Sequence, residues 1–241
     1  MADILLEVCV DDIAGLTAAC DGGADRIELC SALSVGGLTP SAGLMAAAAK
    51  MPVPSYAMIR PRTGDFVYNS AELALMAGDI DAARAAGLAG VVLGANRRDG
   101  SLDGDALASL VTQARGLGLT LHRAFDLVPD MADAIETAIA LGFERILTSG
   151  GATSAAAGID ALASACEVAA GRISIMPGSG VTLATIDTLL ARLPVREIHS
   201  SCSAPALDQD PRVLAFGFAS ATERRTDAGI VAALRARVSR R

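Results

Sequence analysis

Leu5-Leu6-Glu7-Val8-Cys9-Val10 is a run of β-forming residues, and it passes directly into Asp11-Asp12-Ile13. A strand that opened a doubly wound nucleotide-binding sheet would run instead into G-x-G-x-x-G, whose glycines let the backbone approach a pyrophosphate. The acidic pair points away from that turn, and Ile13 begins an Ala/Leu-rich segment. The same unit recurs along the chain: a short β-branched or apolar run, a Gly-rich or polar loop, then a helical stretch. Its runs are Leu5 to Val10, Asp25 to Cys30, Tyr56 to Pro61, Gly90 to Gly94, Thr120 to Phe125, Arg145 to Ser149, Ile173 to Met176 and Arg196 to Ser201. Eight runs in 241 residues give about 30 residues per unit, the length that a strand, a crossover helix and their loops require. The pattern predicts an α/β fold, a (β/α)8 TIM barrel. An open doubly wound sheet is the alternative. No Pro/Ser-rich tract, charge block or composition shift interrupts residues 1–241, so one domain is expected. Helix ends are visible at Thr39-Pro40-Ser41, at Gly87, at Gly142 and at Thr182.

Composition narrows the function. Twenty Lys plus Arg against 27 Asp plus Glu leave a formal charge of −7, which gives phosphate backbones no global attraction. With no Trp, two Tyr and five Phe there is little to stack on bases, so no nucleic acid partner is expected. No apolar stretch approaches the roughly 18 residues of a membrane span, and the opening residues carry Asp3, Glu7, Asp11 and Asp12 where a secretory leader would be positive. A cytoplasmic protein without membrane contact is the expectation. Five widely spaced cysteines, an odd number, are read as reduced thiols.

Barrel chemistry sits at the carboxyl ends of the strands, so polar residues there need a reason. Glu7-Val8-Cys9 ends the first run and Glu28-Leu29-Cys30 the second, and two-residue alternation puts the Glu and Cys of each triplet on one face. Met58, Arg60 and Arg62 share a face on the third run, His122 and Asp126 on the fifth, His199 and Ser201 on the eighth. Glu7, Glu28 and Arg60 are expected to neutralise one another, either as a site or as a buried ionic layer. His122 and His199 are the only histidines. Each is a general acid or base near neutral pH or a hydrogen-bonded rim residue. Glu7, Glu28, His122 and Asp126 are therefore the candidate proton-transfer residues. Arg60-Pro61-Arg62 reads as a fork for a carboxylate or phosphate, or as a pair bridging to Asp65 or Asp126. The turns at Gly150, at Gly178 and at Ser200 and Ser201 would supply neutral donors to the same anion.

Taken in order, Leu6-Glu7-Val8-Cys9, Gly23-Ala24-Asp25-Arg26-Ile27-Glu28-Leu29-Cys30, Gly36-Gly37-Leu38-Thr39-Pro40-Ser41, Ile59-Arg60-Pro61-Arg62, Gly64-Asp65-Phe66, His122-Arg123-Ala124-Phe125-Asp126, Leu147-Thr148-Ser149-Gly150 and Glu197-Ile198-His199-Ser200-Ser201 resemble the CutC copper homeostasis family nearly from end to end. The resemblance implies a (β/α)8 barrel, a cytoplasmic homo-oligomer and a role in copper handling. It carries over Cys9 and Cys30 as thiolate ligands of Cu(I), and a copper-binding reading adds His122 or Met58 as auxiliary donors. Cys202 has no counterpart in the family motif, and Cys20 and Cys166 read as apolar fillers. Two expectations follow: a copper-binding homeostasis protein, or an enzyme acting on a small phosphate- or carboxylate-bearing metabolite at the carboxyl-end mouth.

Overall fold

The computed structural model describes residues 4–206 and 210–239. In chain order the barrel units are β1 (Leu5–Val10) and α1 (Ile13–Asp21), β2 (Arg26–Leu29) and α2 (Ala42–Ala48), β3 (Ser55–Met58) and α3 (Ser70–Ala86), and β4 (Gly90–Leu93) and α4 (Gly104–Gln113). They continue with β5 (Gly118–Leu121) and α5 (Met131–Leu141), β6 (Arg145–Thr148) and α6 (Ile159–Ala169), and β7 (Ser174–Pro177) and α7 (Ile186–Arg192). The eighth strand, β8 (Glu197–Ser200), is separated from its helix by β9 (Ser203–Pro205), α8 (Pro211–Ala215) and β10 (Arg224–Thr226), after which α9 (Ala228–Val238) closes the ring. All eight main strands are parallel, hydrogen-bonded in the order β7-β6-β5-β4-β3-β2-β1-β8, and β7 lies against β8, so the sheet curls into a nearly closed (β/α)8 barrel. β9 and β10 form a separate antiparallel pair.

The acidic pair after β1 serves helix formation. Asp12 caps α1, its carboxylate accepting the Gly15 N–H at 2.6 Å, and Asp11 accepts the Leu33 N–H from the neighbouring loop. Gly87 and Gly142 end α3 and α5 in left-handed conformation, as their positions predict. The segment after Gly180 enters its helix later than expected: a turn holding the Thr182 N–H on Thr185 Oγ1 precedes the start of α7 at Ile186.

Strand alternation divides the interior into two cores. Leu6, Val8 and Val10 of β1, with Ile27 and Leu29 of β2, face outward and join the large apolar layer between strands and helices. Cys30, Tyr56, Met58 and Val92 face inward and form a small cluster of their own. Near the amino ends of the strands the barrel is plugged by a buried ionic layer. Arg26 bonds to both Glu7 and Glu197, while Arg145 reaches Glu197 at 3.0 Å and Thr120 Oγ1 at 3.1 Å. The Tyr56 ring lies between the two guanidinium groups, 5.4 Å from Arg26 and 5.1 Å from Arg145. Glycine is required beneath that ring. A Cβ at Gly90 or at Gly118 would sit 2.2 Å from Tyr56 atoms.

Candidate metal centre at the barrel mouth

The plug leaves the carboxyl half of the barrel open as a cavity of about 870 Å³. Register decides what meets there. Glu7 of β1 pairs with His199 of β8, and Cys9 of β1 pairs with Glu28 of β2, so three adjacent strands bring four chemistry-bearing side chains to one wall. His199 Nδ1 lies 2.8 Å from Glu7 Oε1, and His199 Nε2 lies 3.8 Å from Glu28 Oε2. Ligand atoms of Cys9, Glu28 and His199 all fall within 4.8 Å of one another, and all three residues are buried. One ion with bonds of roughly 2.0 to 2.3 Å spans that separation with small side-chain movements.

Electrostatics prepare the trio. Burial alone would raise the Glu7 carboxyl, but the Arg26 guanidinium, with help from His199, brings it down to about 2. An anionic Glu7 accepts the Nδ1–H of His199 and leaves Nε2 facing Cys9 and Glu28, the arrangement in which a carboxylate orients a metal-binding imidazole. Burial opposes charge on His199, yet Cys9 and Glu28 around it hold its proton affinity well above the usual histidine range. Burial raises the Glu28 carboxyl. Its Oε1 has no hydrogen-bond partner among the described residues, while its Oε2 accepts from the Cys30 thiol at 3.6 Å. A proton or a cation shared among these groups is what the geometry accommodates.

Several expected members of the site lie elsewhere. Cys30 follows the end of β2, beside the strand that carries Cys9, but lies outside the compact trio, and burial together with Glu28 pushes its thiol well up. Arg60 does not neutralise Glu7 or Glu28. It follows the end of β3, where its guanidinium donates to the carbonyls of Val35, Gly37 and Gly64 at 2.9 to 3.0 Å and stacks over Phe66. Arg26, which the sequence reading passed over, is the counter-charge. The Arg60–Arg62 fork is also absent: Arg62 is held by Glu72, Asp65 and backbone carbonyls and lines a separate depression with Tyr68 and Asn69.

His122 and Asp126 both line the cavity but do not share a strand face, because β5 ends at Leu121 and residues 123–127 form a tight helical turn. His122 lines the cavity, with Nδ1 accepting the Ala124 N–H at 3.1 Å. Asp126 is saturated by Thr148 Oγ1, the Ser149 and Gly151 N–H groups, Ser149 Oγ and Arg123, which makes it an anchor for the β6–α6 loop. The glycine and serine turns do not form an open anion cradle. Gly150 N–H goes to Thr148 Oγ1, Gly178 N–H to Thr148 O, and Ser200 Oγ to Val181 O. Ser201 Oγ is exposed and engages Ser203.

The sequence model of the CutC family matches residues 4–204. A CutC family protein of Rhizobium meliloti (strain 1021) is 62% identical over 238 residues, covering 99% of this chain and 97% of its own. A crystal structure of CutC from Streptococcus agalactiae, a protein named for copper homeostasis, superposes with a TM-score of 0.78 at 35% identity, covering 82% of this chain and 98% of that one. An aldolase, QR15, matches with a TM-score of 0.63 at 13% identity over 83% of this chain and 93% of its own, a likeness of fold alone. By sequence and by structure, this chain belongs to the CutC family.

Proposed function

We propose that this protein takes part in cytoplasmic copper handling and holds the ion at the barrel mouth through Cys9, Glu28 and His199. The observation that carries the reading is the buried trio itself, with Glu7 on the far nitrogen of His199. Family membership adds copper homeostasis as the setting. The donors fit the ion: a thiolate is a soft ligand, an imidazole suits copper in either oxidation state, and copper heads the affinity order among divalent first-row metals at mixed sites. Glu28 Oε1, buried and without a hydrogen-bond partner among the described residues, is an acceptor that a cation would satisfy. All five cysteines are free thiols, which agrees with a reducing compartment.

Equilibrium dialysis of the reduced full chain against buffered copper tests the reading. The wild type is expected to retain about one ion per chain, and a folded Cys9→Ser variant to retain none at the same free copper. Absence of binding by the wild type, or equal binding by both, contradicts it.

A further inference from the structure

A metal ion leaves most of the mouth unexplained. The cavity, about 870 Å³, has the size of a site for an organic molecule. Beyond Glu28, two buried side chains that line it carry a nitrogen without a partner among the described residues: Nε of Arg60 and Nε2 of His122. Both are donors. Arg60 has no lone pair to offer, and because His122 Nδ1 accepts the Ala124 N–H, the proton of the neutral ring sits on Nε2. Phe66 packs against both residues, its ring 4.8 Å from that of His122 and 4.9 Å from the Arg60 guanidinium carbon. No carboxylate pairs with Arg60 among the described residues, so a buried positive charge lines the cavity with carbonyls, the Phe66 face and the Tyr68 hydroxyl around it. Two buried donors and one uncompensated cation call for an acceptor that is itself anionic.

The rest of the lining selects among anions. Val35, Leu127 and Leu183 line the cavity and are substantially exposed, and Leu147 and Phe66 add apolar surface. At the strand-to-helix turns, the N–H groups of Gly150, Gly178 and Cys202 are spent on Thr148 and Ser200, which leaves a phosphate fewer backbone donors there. We infer that the mouth binds a small organic carboxylate with an apolar body, its carboxylate held between His122 Nε2–H and Arg60 Nε–H and its body laid on Phe66 and the aliphatic rim. The inference goes beyond the metal site and does not require it, since neither donor belongs to the trio. Burial and the charge of Arg60 depress the His122 proton affinity to about 3, so the ring stays neutral and the donor pattern holds across the physiological range.

Three compounds with one body and different heads, hexanoate, hexyl phosphate and hexan-1-ol, test this on metal-free protein by calorimetry or ligand-detected NMR. Saturable binding of hexanoate is expected, at least about tenfold tighter than either of the others, and about tenfold weaker in His122→Phe. Should His122→Phe fail to fold, Arg60→Met, checked by thermal melting, is expected to show the same loss. Hexyl phosphate or hexan-1-ol binding as tightly as hexanoate overturns the inference. So does no saturable binding of hexanoate, or unchanged affinity in a folded variant. Cys9→Ser is expected to keep hexanoate binding, which separates this outcome from the fate of the copper reading.

Discussion

Arg26→Met is expected to lower the stability of the protein by about 3 to 5 kcal/mol, with a fall of roughly 10 °C in Tm, measured by chemical and thermal denaturation. Arg26 is the guanidinium shared by Glu7 and Glu197, and its residue is only 4% exposed. Removing it leaves Glu7, which has no solvent exposure at all, with only His199 to offset its charge among the described residues, and leaves Glu197 with Arg145 alone. The cost is that of an under-compensated buried charge more than that of a lost contact. Replacing the whole group at once, Arg26→Met with Glu7→Gln and Glu197→Gln, is therefore expected to be less damaging than Arg26→Met by itself. The acid limb gives a second readout. The Glu7 carboxyl has a lowered pKa in the folded protein, about 2 against 4.5 unperturbed. Its contribution is complete above pH 4.5 and is lost as the pH falls toward 2. In Arg26→Met the largest cause of the lowering is gone, His199 remaining, and that part of the acid limb should flatten. A loss below 1 kcal/mol would mean that the ionic plug does not support the barrel.

His199→Ala is expected to weaken copper binding by more than about 100-fold in a competition titration of the reduced protein. The residue offers Nε2 to the trio and is aimed by Glu7, so its loss removes a donor and the support behind it together. Glu7→Gln should fall between, with a loss of about 10- to 100-fold, the usual effect of removing a carboxylate that orients a metal-binding histidine. Cys30→Ser is expected to stay within a few-fold of wild type, because its sulfur is outside the compact trio. A large loss in Cys30→Ser with a small one in His199→Ala would return the ion to the Cys9–Cys30 pair.

The eight strands were legible because each is a short apolar run bounded by polar or Gly-rich turns, and each run overlaps the strand observed. Glu7, Cys9, Glu28 and His199 were legible for a related reason: period-two alternation on neighbouring parallel strands leaves little choice of where inward-facing residues go. Arg26 does not stand out among the polar residues of the carboxyl ends, because the layer that neutralises Glu7 lies toward the amino ends. Two signals were available, since Arg26 shares a face with Glu28 and Glu197 shares one with His199. Arg60 and Asp126 show what a strand pattern cannot carry. Each lies past the end of its strand, where loop carbonyls capture the guanidinium and loop N–H groups capture the carboxylate. Gly150 and Gly178 look in sequence like donors to an anion, but Thr148 at the end of β6 intercepts both.

X-ray absorption spectroscopy of the copper-loaded wild type tests the proposed centre most directly, because it counts donors by element. The account predicts one sulfur ligand together with an imidazole, the sulfur signal vanishing in Cys9→Ser and the imidazole signal in His199→Ala. Two sulfur ligands with no imidazole, or a spectrum unchanged in both variants, would contradict it.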